Sequence, residues 1–461
     1  MDISLDEILK AVGGQLLGGR SEGLPVHKIS TDTRTAEKDD VFFALKGSRF
    51  DGHDFIKEAE KKGVRHFVVS DPGAVTAQTQ KTSNVIGVDD TLKAYGDLAK
   101  VYRQKFKIPA IAITGSAGKT TVKELIAHVL SERFRVLKNR GTENNLIGVP
   151  KTIFQLEASH EVMVLEMGTN HPGEIDRLSS IIAPQIGIVT QIGFAHLEGL
   201  TDLEGVKEQK LKLLNHLERG GVLVLNGQDS YLAGVQSGTH KILRVGFAKE
   251  GCELSADQVG CLEQGSSFHL GGGDIFETPL IGRHNVLNGL FAIAAARALG
   301  LETPEIQKGL GSFKPVPGRL NFREMAGIIF LDDSYNSNPT SFRAALETLK
   351  EFKIRERKAV VCGDMLELGE KSEMLHREMG ALIAGLLFDY VIAAGPESKY
   401  LVDEAVKKGF DPSRIHHTQN AEEAGKLCQQ IAVPGDRVLV KGSRGTQMEK
   451  VFECFIISSI R

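Results

Sequence analysis

Ile111-Ala112-Ile113-Thr114-Gly115-Ser116-Ala117-Gly118-Lys119-Thr120-Thr121 decides how the rest of the chain is read. Residues Ile108 to Ile113 form a short β-branched run of the kind that makes a buried strand, and Val122 to Leu130 carries apolar residues at helical spacing. The two glycines therefore fall on a strand-to-helix turn. Backbone N–H groups of a first helical turn lack intrahelical partners, the helix dipole is positive there, and glycine lets the backbone approach phosphate oxygens closely. In such a turn Thr114, Gly115, Ser116, Ala117, Gly118 and Thr121 surround the phosphates, Lys119 reaches the terminal ones and Thr120 offers its hydroxyl to magnesium. The spacing is unusual, because two residues separate Gly115 from Gly118 where the common phosphate loop has four.

The chain has 461 residues, about three domains' worth, with the 41% hydrophobic and 25% charged residues of a soluble globular protein. A formal charge of −3 without a long basic run gives no electrostatic footprint for nucleic acid or for an anionic membrane. Five cysteines without CxxC or metal-ligand spacing argue against a disulfide framework and fit a reducing cytoplasm. Asp2, Asp6 and Glu7 stand where a signal peptide would be basic, and no apolar run nears the roughly 18 residues that cross a bilayer. The expectation is a cytoplasmic monomer without membrane insertion.

At the start, Ser4 caps a helix reaching Ala11, with Glu7 three residues after the cap. Polar loops follow at Asp32-Thr33-Arg34, Lys46-Gly47 and Asp51-Gly52-His53; by residue type alone these are turn chemistry and a local Asp–Arg pair. A helix from Phe55 to Lys62, a strand at Phe67-Val68-Val69 and a helix from Leu92 to Phe106 complete a small α/β unit ending near Lys107. The central region alternates strands and helices, which implies a parallel sheet with its ligand at the carboxyl ends of the strands. Val162 to Glu166 is a strand ending in a carboxylate, Ile186 to Gln191 one whose following loop carries His196, and a helix from Leu203 to Leu217 carries Lys210. Glu166 reads as a magnesium ligand or as a capping or salt-bridged acid, and His196 as a ligand or a packed loop histidine. Thr142-Glu143-Asn144-Asn145 form a polar loop entering a helix. Asn285 and Asn288 share one face at the start of another helix, where an amide can meet both edges of adenine.

The connector Lys314-Pro315-Val316-Pro317-Gly318-Arg319 reads as a hinge. Beyond it, strands at Ile328–Leu331, Ala359–Cys362, Tyr390–Ala393 and Val438–Val440 alternate with helices and predict a second doubly wound sheet. The loops carrying Asp332-Asp333-Ser334-Tyr335-Asn336-Ser337-Asn338 and Lys441-Gly442-Ser443-Arg444 follow strands and share one rim. Asp332 and Asp333 alternatively read as a metal pair.

These residues resemble the Mur ligases, which build the peptide of the cell-wall precursor, with folylpolyglutamate synthase as a relative. The family's phosphate loop is a short Thr-Gly-x-x-Gly-Lys-[Ser/Thr], which accounts for the spacing above. The resemblance runs through Asp32-Thr33-Arg34, Asp51-Gly52-His53, Thr142-Glu143-Asn144-Asn145, Glu166-Met167-Gly168, Ala195-His196-Leu197-Glu198-Gly199 and His284-Asn285. It implies three domains: 1–107, a small α/β unit binding the uridine nucleotide through Asp32, Thr33, Arg34, Lys46, Gly47, Asp51, Gly52 and His53; 108–313, a parallel-sheet phosphate-loop ATPase domain; and 314–461, a Rossmann-like domain closing over ATP and binding the incoming dipeptide.

The reaction implied is ATP-driven amide formation between UDP-N-acetylmuramoyl-tripeptide and D-alanyl-D-alanine, a step of peptidoglycan synthesis that serves cell shape and division. The Asn-Pro-Arg tetrapeptide region marking the diaminopimelate-adding member does not occur, which favours the dipeptide-adding step. By the same resemblance Lys119, Glu166, His196 and Lys210 carry the chemistry, and Thr120, Glu166, His196 and a carbamylated Lys210 hold magnesium. Asn285, Asn288, Arg319, Asp333, Tyr335 and Asn336 would bind ATP. Thr142, Glu143, Asn144, Asn145, Asn338, Lys441 and Arg444 would face substrate or phosphate. Around Lys210 the chain reads Glu208-Gln209-Lys210-Leu211-Lys212, with Lys212 where related ligases commonly carry an acid; this second cation is expected to help lower the Lys210 pKa. The alternatives are another Mur-type or folylpolyglutamate-type ligase, a phosphate-loop NTPase switch and a silent nucleotide-binding module.

Overall fold

A computed structural model describes the chain apart from residues 2, 23, 48–49, 195–196, 201, 248–250, 263–264, 272, 353–355 and 458–461. Three sheets organise it. The first contains β1 (Gln15–Gly18), β2 (Ile29–Ser30), β3 (Val41–Phe43), β4 (His66–Val69) and β5 (Asn84–Gly87) in the order β1-β5-β4-β3-β2, parallel except for β1. Its leading helix Leu5–Val12 carries the expected capping box, with Ser4 accepting from the Glu7 N–H and Glu7 from the Ser4 N–H.

Near Lys107, where the sequence predicts a boundary, the chain is tightly packed. Helix Thr91–Gln104 sends Tyr102 Oη to the Leu156 carbonyl at 3.0 Å. Arg103, almost fully buried, donates to the carbonyls of Ile182 at 3.2 Å, Phe106 at 2.6 Å and Ile108 at 2.8 Å. The rings of Phe43, Tyr95 and Phe154 continue the contact edge to face, with centroids 5.3 and 5.1 Å apart.

The central sheet contains β6 (Ala110–Thr114), β7 (Val136–Lys138), β8 (Val162–Glu166), β9 (Ile186–Val189), β10 (Val222–Asn226), β11 (Lys241–Gly246), β12 (Leu254–Leu262), β13 (Gly265–Leu270) and β14 (Asp274–Thr278). Its order is β14-β13-β12-β11-β10-β9-β6-β8-β7. From β7 to β12 it is parallel, as the alternation predicts. The antiparallel extension β12-β13-β14 was not foreseen. It packs the stacked rings of Phe268 and Phe276 under the buried helix Arg283–Ala298. The expected single helix from Leu203 to Leu217 is also corrected: an α-helix Leu203–Leu211 passes into a 3-10 segment Lys212–His216. The tighter turn buries Leu213 and brings Asn215 and His216 within 3.0 and 3.1 Å of Asp176.

The last sheet contains β15 (Asn321–Met325), β16 (Ile328–Asp333), β17 (Lys358–Gly363), β18 (Tyr390–Ala394), β19 (Ile415–Thr418) and β20 (Arg437–Lys441), in the order β15-β16-β20-β17-β18-β19. The four expected strands pair in parallel, and β15 adds an antiparallel edge. The proline connector enters this sheet through Gly318, whose φ of 71° and N–H bond to Asn321 Oδ1 at 2.8 Å turn the chain toward the cleft.

Replacing Arg103 with methionine leaves three carbonyls without their donor, at about 1.5–3 kcal/mol for each charged hydrogen bond before relaxation. We expect Arg103→Met to cost roughly 3 kcal/mol, read as a shift of the urea unfolding midpoint. A loss below about 0.5 kcal/mol would show that this packing does not depend on it.

Candidate active site

Strands β8, β6 and β9 run side by side, with Ile113 opposite both Glu166 and Ile188. Glu166, the phosphate loop and Thr190 therefore leave the sheet at one edge, the place where open parallel sheets bind ligands. Gly115 has φ 148°, and a Cβ there would stand 1.9 Å from Thr190 Oγ1. Thr190 Oγ1 donates to the Ala117 carbonyl at 2.5 Å; the Ser116 hydroxyl donates to the Gly193 carbonyl and accepts from its N–H, both at 2.9 Å. Gly118, with φ 82°, starts helix Lys119–Leu130. The loop is thus held in shape by its neighbours before any ligand arrives.

Lys119 Nζ donates to the Gly115 carbonyl at 2.7 Å. Burial holds its pKa below the ordinary lysine value, with the Glu166 charge opposing this and the Arg319 charge adding to it. Glu166 is 1% exposed; Oε1 accepts from Asn144 Nδ2 at 2.7 Å, whereas Oε2 has no hydrogen-bond partner among the described residues. A buried carboxylate oxygen left bare is costly unless a ligand completes it. Together with the Thr120 hydroxyl it makes an all-oxygen donor set of the sort a hard divalent cation takes, so the residues fit magnesium.

Lys210 is 1% exposed, and its ammonium has no hydrogen bond or ion pair among the described residues. Burial drives its pKa well below the ordinary value, and the charge on Lys119 adds to the effect. The expected contribution of Lys212 is corrected: its ammonium pairs with Glu208 at 3.1 Å on the helix surface, and the cation acting on Lys210 is Lys119. His196 lies outside the described residues.

Around the loop lies a cavity of about 360 Å³ lined by loops and helix ends beside the central and last sheets. Asn338 Nδ2 donates to the Ser116 carbonyl at 3.1 Å, the hydroxyls of Thr142 and Tyr335 meet at 2.9 Å, and Arg319 lies 4.1 Å over the Tyr335 ring with Nη2 at 3.4 Å from Thr120 Oγ1. The last domain is therefore seated on the phosphate loop. Asn285, which lines the cavity, donates one amide N–H to the Ile281 carbonyl and accepts from Asn288 Nδ2, both at 2.8 Å; Asn288 turns its carbonyl toward Gly118. Beside them His284 is half-buried and its pKa is pushed down to about 4, by desolvation first and by Lys441 second.

Lys441 lines the cavity but does not present a free cation. Its ammonium donates to Asp333 Oδ2 at 2.5 Å and to the Asn336 carbonyl at 2.9 Å, and burial lowers its pKa against the pull of Asp333. Arg444 is exposed and pairs with Glu449 at 2.7 Å. The metal-pair alternative for Asp332 and Asp333 fails, because successive strand residues face opposite sides: Asp332 turns to Ser334 Oγ at 2.6 Å and Arg323 at 3.2 Å, away from the Asp333–Lys441 pair. In the polar loop, Glu143 pairs with Lys151 at 2.6 Å and Asn145 Oδ1 caps the next helix through the N–H groups of Ile147 and Gly148, at 3.1 and 2.8 Å.

None of the first domain's expected residues lines this cavity. Arg34 grips Asp32 with both carboxylate oxygens, which holds the Asp32 pKa down at about 2, and the Thr33 carbonyl accepts from Lys62 at 2.6 Å. Asp51 Oδ1 takes the His53 N–H at 3.0 Å and Nδ1 at 2.5 Å, while His53 Nε2 faces the N–H groups of Ser70 at 3.0 Å and Asp71 at 3.2 Å. Nε2 must therefore accept and Nδ1 carries the proton; His53 braces the loop from within. Gly52 passes so close to Ala44 that a Cβ would lie 2.7 Å from its carbonyl carbon. Lys46 is exposed, 3.9 Å from Asp51, and the Gly47 N–H bonds the Phe50 carbonyl at 2.9 Å.

Sequence reasoning missed Thr190, Lys123 and Asn139. Thr190 had a signal, a hydroxyl at the end of a strand beside a glycine loop. Asn139 had none, and Lys123 only that a lone charge interrupts an apolar helical stretch.

A phosphate loop at the switch of a parallel sheet, flanked by a bare carboxylate and roofed by a second α/β domain, defines a nucleotide-using enzyme of the three-domain α/β class. Residues 25–103 match the Mur ligase family, catalytic domain, residues 113–296 the Mur ligase middle domain, and residues 318–444 the Mur ligase, glutamate ligase domain. The chain is 35% identical over 459 residues to UDP-N-acetylmuramoyl-tripeptide--D-alanyl-D-alanine ligase of Bacillus subtilis, with 99% of each chain covered. It is similar to the crystal structure of MurF from Acinetobacter baumannii, with TM-score 0.90, 32% identity and 98% of both chains covered. It is also similar to MurF ligase from Thermotoga maritima in complex with ADP, with TM-score 0.84, 28% identity and 94% and 98% covered. The chain belongs to the Mur ligase family.

Gly115→Ala puts a Cβ into Thr190 Oγ1 and should deform the loop. We expect ADP affinity measured by calorimetry to fall at least about tenfold, roughly 1.4 kcal/mol. An affinity within twofold of the parent would contradict the role given to the loop.

Proposed function

We propose that this chain joins D-alanyl-D-alanine to UDP-N-acetylmuramoyl-tripeptide at the expense of ATP, in the cytoplasm and as a monomer. The observation that carries the chemistry is the buried Glu166 carboxylate with one bare oxygen, beside Lys119 and the phosphate loop. The choice of substrates rests on full-length likeness to the ligase of Bacillus subtilis.

A carboxylate is a poor electrophile. Attack of the tripeptide carboxylate oxygen on the γ-phosphorus of ATP releases ADP and leaves an acyl phosphate. The dipeptide amine, having lost its proton, then attacks the acyl carbon, and inorganic phosphate departs as the amide forms. Lys119 and the loop N–H groups offset charge on the transferring phosphoryl group. Thr120 and Glu166, with His196 and a carbamylated Lys210, would hold magnesium, which would supply positive charge to offset that of the phosphates. The seated last domain, through Asn338, Tyr335 and Arg319, excludes water that would hydrolyse the acyl phosphate. The loops of residues 1–107 would hold the uridine nucleotide, and the boundaries at 107 and 313 separate these tasks.

Mass spectrometry of products should show the pentapeptide precursor when ATP, magnesium, the tripeptide precursor and D-alanyl-D-alanine are all supplied. Lys119→Ala should lower its rate at least about a thousandfold by removing the cation at the phosphoryl group. ATP hydrolysis without a joined product would instead support the NTPase switch.

Carbamylation requires a neutral amine to attack carbon dioxide, and the buried Lys210 ammonium, without an ion pair among the described residues and acted on by the Lys119 charge, suits it. With labelled bicarbonate, carbon-13 NMR should show a carbamate signal that is absent in Lys210→Ala. That variant should be nearly inactive and partly restored by formate or acetate. Full activity of Lys210→Ala would exclude the modification.

A further inference from the structure

Lys123 follows Lys119 by one helical turn and shares its face of the helix. Its side chain is wholly buried, and its ammonium donates to the carbonyls of Asn139 and Gly141, each at 2.8 Å, and lies 2.9 Å from Glu124 Oε1. All three donors are used. Asn139, also wholly buried, accepts the Glu166 N–H at 3.0 Å and donates to the Glu166 carbonyl at 3.1 Å and the Glu143 carbonyl at 2.9 Å. An amide that takes both the N–H and the C=O of one residue fixes its backbone as a neighbouring strand would. Such help is needed here, because β7 is a three-residue strand at the edge of the sheet and the loop after it has no strand beyond it among the described residues. Further along that loop, the Asn144 carbonyl takes the Gly168 N–H at 2.8 Å and its Nδ2 holds Glu166 Oε1.

We propose that Lys123 and Asn139 are positioning residues for a divalent cation: the Lys123 ammonium fixes the backbone of residues 139–141, and that loop presents Asn139 and Asn144 so that Glu166 keeps Oε1 occupied and Oε2 bare. Lys123 acts through carbonyl groups, so neutralising Glu124 leaves the device in place. The inference rests on the reading of Glu166 as a cation ligand.

The test uses the full chain, manganese as the probe, and electron paramagnetic resonance to measure manganese affinity with saturating ADP, beside calorimetry of ADP with chelator present. Lys123→Met and Asn139→Ala should each weaken manganese at least about tenfold while metal-free ADP affinity stays within threefold; Glu124→Gln should keep parental values for both. Should Lys123→Met fail to fold, Asn139→Ala decides. Manganese affinity within twofold of the parent in Asn139→Ala, or manganese and metal-free ADP affinities falling together, would overturn the proposal. Parental manganese affinity in Glu166→Gln would overturn the cation reading itself, whereas a loss there with none in Asn139→Ala overturns only the positioning role.

Discussion

The tight passage of Gly115 beneath Thr190 is the constraint from which the rest follows. With φ 148° and no room for a Cβ, the chain leaves β6 between the ends of β8 and β9, and that crossing aims the loop N–H groups and Lys119 into the cleft. Glu166 arrives at the same place because β8 pairs with β6 in register, Ile113 opposite Glu166. The last domain then has a fixed target, and Asn338 reaches the Ser116 carbonyl only because that loop is already shaped.

Three buried lysines, Lys123, Lys210 and Lys441, and the half-buried Lys119 differ in how each ammonium is satisfied, and that difference separates architecture from chemistry. Lys123 has three acceptors and Lys441 has a carboxylate and a carbonyl. Lys119 has one carbonyl and the nearby charge of Glu166, and the Lys210 ammonium has no hydrogen bond or ion pair among the described residues. A buried ammonium is stable as a cation only when its donors are matched; otherwise it tends to lose its proton or acquire a ligand. Of the incompletely matched pair, Lys119 feels the charge of Glu166 and Lys210 that of Lys119, and there the ligation chemistry is proposed.

Much of this was legible in the sequence because its signals are local. The strand, glycine turn and helix around Gly115, the Ser4 capping box, the strand ending at Glu166 and the alternation after Arg319 each depend on neighbours within a few residues. Other features depend on partners far away in sequence. That Lys441 is spent on Asp333, that Lys212 turns to Glu208 while Lys119 acts on Lys210, and that His53 faces inward are decided by packing. The antiparallel strands from Leu254 to Thr278 escaped notice because their pairing, not their composition, defines them, and the helix break at Leu211 carries neither glycine nor proline.

Acyl-phosphate formation is the central claim, and oxygen transfer tests it most directly. With oxygen-18 in the terminal carboxylate of the tripeptide precursor, the account predicts one labelled oxygen in the inorganic phosphate released for each amide formed, read by mass spectrometry. Unlabelled phosphate accompanying full amide formation would contradict it.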